Sequence, residues 1–111
     1  MSSDSRAGLP APGEPAAQTV YAVSHEAFTL AREAAVGEGD AAARERQARV
    51  LNSRLDELWP LVQAAPDNER PGLNQAWTDA RLDLGYILSG GELPTSTRLH
   101  YALADLRRAR S

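Results

Sequence analysis

The sequence contains no cysteine and no lysine. Without cysteine there is no disulfide, no thiolate nucleophile and no Cys-type zinc site. Without lysine there is no Schiff-base amine and no P-loop ammonium. All 12 basic residues are arginine, and isoleucine occurs once, at Ile87. Together with abundant alanine, this bias is read as the codon usage expected of a GC-rich bacterial or phage genome. No apolar run approaches the roughly 18–20 residues that cross a bilayer, so no membrane association is expected. The opening stretch MSSDSRAGLPAPGEPAAQ lacks the apolar segment of a secretory signal. The missing cysteine fits a cytoplasmic protein. β-Branched residues are sparse and no alternating apolar run is bounded by turn residues, so strands are not expected.

What is present is an ordinary globular composition: 111 residues, 42% hydrophobic and 24% charged. That length holds one domain with one core. The net charge of −3 argues against a chain that lives mainly by phosphate contacts. Residues 1–14 are rich in Ser, Gly, Pro and Ala and cannot bury enough apolar area to offset chain entropy, so a disordered tail is expected there. Residues 15–111 are expected to form a single all-α domain, a three- or four-helix up-down bundle.

The first helix starts near Pro15 or Thr19 and ends at Val36, before Gly37 and Gly39. Its apolar positions are Val20, Tyr21, Ala27, Phe28, Ala31, Ala34 and Ala35. Asp40 caps a second helix that runs to about Ala64, with a stripe of Ala48, Leu51, Leu55, Leu58 and Val62. Pro60 interrupts that apolar stretch. On a helical wheel Leu55, Leu58 and Val62 lie within about 40° of Leu51, whereas Pro60 lies on the opposite side. A proline there removes the bond to the Asp56 carbonyl, but on a solvent face water replaces it. A curved helix is expected, with a hinge or break at Trp59 as the alternative.

Asp67 or Asn68 is expected to cap the third helix, Pro71 to sit in its first turn, and Gly90–Gly91 to follow its end. Its main stripe is Leu73, Trp77, Ala80, Leu84, Ile87 and Leu88, with Trp77 placed in the core. Gly85 costs about 1 kcal/mol relative to alanine, which suggests that another segment approaches closely. Thr95 or Ser96 caps the fourth helix, which buries Leu99, Ala102, Leu103 and Leu106.

Chemistry is hard to find. His25 and His100 are on different helices and neither has a partner one turn away, so both are read as structural or solvated. Asp79 and Asp83 share one side of the third helix. Two carboxylates fall short of the six to eight oxygens calcium prefers, so the pair is read as a solvated face. The GEGD and SGGELP stretches are helix stops, not phosphate cradles. No Walker, GxGxxG or GxSxG pattern occurs. No enzyme, metal or cofactor is expected.

Two surfaces remain. Leu82 and Tyr86 lie on the far side of the third helix from Trp77, and Tyr101 lies opposite Leu103 on the fourth. These three are the candidate partner-binding residues, for another protein or a second copy, since tyrosine is a common interface anchor. The same face would instead be covered if the third helix is central. Arg98, Arg107, Arg108 and Arg110 stand against Asp105 alone near the C-terminus and are the candidates for anion or nucleic-acid contact. They spread around the wheel, and three sit in the last turn, where they complement the helix dipole. The leading expectation is a non-enzymatic interaction or regulatory module, and the alternative is a small nucleic-acid-binding regulator. YALAD, from Tyr101 to Asp105, is similar to the Y-x-x-x-D/E pattern of type VII secretion substrates. The W-x-G turn of that family is absent: Pro60–Leu61 follows Trp59, and Thr78–Asp79 follows Trp77. The chain is therefore assigned to no family.

Overall fold

A computed structural model describes residues 14–110. The tail expected over residues 1–14 lies outside the described residues except for Glu14, which begins the first helix. The described chain is all-α, with no strand: α1 (Glu14–Val36), α2 (Ala41–Gln63), α3 (Arg70–Leu88) and α4 (Thr97–Arg110).

Local chemistry accounts for most helix ends. Gly37 and Gly39 adopt positive φ, 74° and 73°, a conformation that L side chains disfavour, and they stop α1. Asp40 caps α2, its carboxylate accepting from the Ala42 amide at 3.0 Å. Pro60 lies on the exposed side of the last turn of α2, and the helix continues through it to Gln63 without a break. Leu51, Leu55, Leu58 and Val62 all face the core. At the start of α3 the expected Asp67 or Asn68 cap does not form. Glu69 takes the cap position without a side-chain bond, and Asp67 pairs with Arg70 at 3.0 Å. Ser96 caps α4, accepting from the Leu99 amide at 3.2 Å.

The contiguous core comes from α1, α2 and α3, with Ala65 from the α2–α3 loop. Val20, Ala27, Leu55, Val62, Leu73, Ala80 and Leu84 are almost entirely hidden from water. Each such Leu or Val contributes about 1.5–3 kcal/mol by leaving water. Alanines 27, 76 and 80 keep side chains short where α1 meets α3, the most extensive helix pair. The buried Ser24 sits in that seam, and it is satisfied: its Oγ donates to the Ala76 carbonyl at 2.8 Å.

Two expectations about the core are corrected. On α1, Tyr21 and Ala35 are exposed, and Val23 and Ser24 are buried instead. On α3, Trp77, Ile87 and Leu88 are only half-buried, whereas Ala76 and Asp83 are buried. The reason is that α3 packs on α1 and α4 as well as α2, which turns its buried arc toward the Ala76–Asp83 flank.

Helices α1, α2 and α3 run up, down and up. Gln47 of α2 meets Glu26 of α1, and Trp77 of α3 meets Leu55 of α2. The fourth helix breaks the alternation. After Gly90 and Gly91, both at positive φ, the connector 89–96 folds back along α3: Leu93 lies beside Gly85, and Ser96 bonds to Asp83. Helix α4 then starts level with Ser24 and Asp83, and its Leu106 ends beside Val36 of α1. It therefore runs parallel to α1 and α3, and the fold is an up-down three-helix bundle with a fourth helix laid along α1 and α3.

Candidate functional site

Arg98 is not a solvent-facing cation. Its Nη2 and Nε donate to Asp83 Oδ2 at 2.8 and 3.1 Å, and Nη2 also donates to the Ser24 carbonyl at 2.9 Å. The guanidinium lies 5.0 Å from the centre of the Phe28 ring, within cation–π range. Asp83 was expected on a solvated face beside Asp79; it is instead fully buried. Its other oxygen, Oδ1, accepts from Ser96 Oγ at 2.6 Å. Burial pushes the Asp83 carboxyl above its ordinary value of 3.8. The Ser96 bond and the Arg98 charge oppose that rise, and Asp79 adds to it. Asp79 itself accepts from Gln75 at 2.9 Å.

The remaining arginines do not form one surface. Arg108 pairs with Asp105 on its own helix. Arg107 is exposed and lines a cleft between α1 and α4. Arg110 ends α4, and its side chain lies outside the described residues.

Tyr86 is half-buried. Its ring lies against Gly91 and lines a cleft of about 230 Å³ with Ala35, Val36, Leu103 and Leu106. Leu82, one turn earlier, is 38% exposed. The second face of α3 is thus neither free nor packed against a helix along its whole length, because the connector 89–96 folds back over it. Tyr101 is 65% exposed and packs edge-on against His100, ring centres 5.5 Å apart. It lies about 200° from Leu103 on the wheel and points away from the cleft. Of the three apolar candidates, only Tyr86 joins the α1–α4 cleft.

A further surface cluster was not singled out in the sequence. Trp59 and Trp77 pack with ring centres 4.5 Å apart and planes tilted by 46°, and Arg81 lies 4.8 Å from the Trp77 ring while pairing with Asp56. Trp77 Nε1–H donates to the Leu55 carbonyl at 2.7 Å, which explains why the ring sits at the edge of the core. The only sequence signal for this cluster was two tryptophans on adjacent helices. A concavity of about 430 Å³ runs between α1 and α2 past Thr19, Ala22, Glu26, Gln47, Val50 and Arg54.

Among the described residues no group of three or more His, Cys, Asp or Glu side chains is placed to hold a metal ion. No described helix is long and apolar enough to cross a membrane. The chain matches no protein-family model, and no curated protein or solved structure is significantly similar to it.

Proposed function

We propose that the protein is a non-enzymatic interaction module, acting in the cytoplasm, that binds another protein or a second copy through its helix faces. The observation that supports this reading is the cleft bounded by Tyr86, Ala35, Val36, Leu103 and Leu106. Its lining combines these apolar side chains with Arg107, it opens to solvent and it carries a tyrosine as anchor, which suits the side of a partner helix. Leu82 and Tyr101 add exposed apolar area on neighbouring faces.

The alternative is a nucleic-acid-binding regulator built on the C-terminal arginines. Two observations lower it: Arg98 is occupied by Asp83, and Arg108 by Asp105. Phosphate binding at Arg98 or Arg108 would have to displace these pairings.

The test compares wild type with Leu106→Glu, a change at the rim of the cleft. Sedimentation across a concentration series reads self-association, and affinity capture from the native host reads a partner. Association or capture lost in the variant, with circular dichroism unchanged, supports the reading. Association or capture kept equally by both proteins, or absent from wild type, overturns it. Fluorescence anisotropy on duplex DNA addresses the alternative. Binding at about micromolar affinity that falls steeply with salt favours the regulator.

A further inference from the structure

Helix α4 stands apart from the rest of the fold in three respects. It touches α1 and α3 but not α2. None of its residues belongs to the contiguous core, and Leu99 is its one fully buried apolar side chain. Ala102, Leu103 and Leu106 are only half-buried, although their spacing marks them as the inner stripe. Apolar burial therefore holds the arm weakly over most of its length.

What fixes its position is polar and concentrated at its first turn. Both oxygens of buried Asp83 are held by this segment, Oδ1 by Ser96 and Oδ2 by Arg98. Arg98 also reaches the Ser24 carbonyl and the Phe28 face of α1. Ser96 in turn caps the helix at the Leu99 amide. One network thus caps α4, docks it on α3 and docks it on α1.

We propose that α4 is a releasable arm, held on the three-helix core by the Asp83–Ser96–Arg98 staple, and that it detaches as a unit while α1, α2 and α3 stay folded. Breaking a buried ion pair usually leaves a charge stranded in a dry interior. Here undocking removes that penalty, because the groups bonded to the Asp83 carboxylate belong to the arm, and its departure lets water in. The core keeps its own packing, since its contiguous apolar cluster is complete without α4. A free helix of this length is marginal in water, so the detached arm also loses its helical structure and behaves as one local unfolding unit. Release uncovers the Phe28 ring now under Arg98.

The test is amide hydrogen exchange on the full chain, resolved by helix. In wild type the slowest amides of α4 should exchange at least about tenfold faster than the slowest amides of α1–α3. This measurement needs no substitution, so it stands even if a variant fails to fold. In Arg98→Gln the protection of α4 should fall close to that of an unstructured chain, while the slowest core amides stay at least about a hundredfold better protected than α4. Ser96→Ala should move α4 in the same direction by a smaller factor. Wild-type exchange at one common rate across all four helices would overturn the proposal. So would an Arg98→Gln protein that keeps α4 protected, or one that loses protection in every helix at once.

Discussion

Arg98 of α4 reaches across to α3 and holds Asp83 at 2.8 Å, joining a cation in the first turn of one helix to a carboxylate with no exposure to solvent. The pair explains two features together. It places a charged residue inside α3 without an unpaired charge, and it removes one arginine from the basic C-terminal segment.

The pH dependence of stability follows from the Asp83 carboxyl, which burial pushes above 3.8 despite Ser96 and Arg98. A carboxyl with a raised folded-state value binds its proton more tightly when folded. Its contribution is therefore fully present below about pH 3.8 and is lost as pH rises through the folded value. Relative to Asp83→Asn, wild type should lose stability across that window and then level off. Denaturant titrations of both proteins from acid to neutral pH check this. A wild-type advantage that grows with pH would mean that the Ser96 and Arg98 bonds outweigh desolvation.

Trp77 makes its contribution through packing and one hydrogen bond, and two substitutions separate them. Trp77→Ala removes the ring from Trp59 and from the core edge and should cost about 3 kcal/mol. Trp77→Phe keeps a ring but loses the bond to the Leu55 carbonyl, at a cost of about 1 kcal/mol. Urea titration measures both. Equal losses would show that the bond, rather than the ring, dominates.

Gly85 has room for a side chain. An added Cβ would sit 3.5 Å from Leu93 Cδ1, an ordinary contact, so the close approach expected from sequence does not require glycine there. Gly85→Ala should stabilise the protein by about 0.5–1 kcal/mol through helix propensity. Gly90→Ala should do the opposite by about 1 kcal/mol, because φ is +69° at that position. Melting temperatures moving in the same direction for both would refute the assignment.

Leu82 and Tyr86 should part company when changed singly. Leu82→Ser removes a side chain that is 38% exposed and packs only in part, so it should cost about 1 kcal/mol. Tyr86→Ser opens space beside Gly91 and the α4 cleft and should cost about 2–3 kcal/mol. Thermal denaturation of the two single variants reads the difference. Similar small losses would place Tyr86 on a free surface.

The features legible in the sequence are those that depend on neighbours within a few residues. The stripe Leu51, Leu55, Leu58 and Val62 follows from helical periodicity, and the same geometry puts Pro60 outside. Asp40 and Ser96 are caps because their side chains reach amides two and three residues on. Gly37, Gly39, Gly90 and Gly91 end helices because the backbone there turns to positive φ. Tertiary structure decided the rest. A helical wheel treats Asp79 and Asp83 alike, because it cannot see that a connector and a fourth helix will lie over one of them. The direction of α4 is likewise absent from any local pattern. A connector of this length permits either orientation, and the docking of Leu93 beside Gly85 and of Ser96 on Asp83 selects the parallel one. That choice buries Asp83, turns Arg98 inward and leaves Tyr86 at a cleft rather than on an open face. Each outcome depends on contacts between segments distant in sequence, whose energies no short window contains.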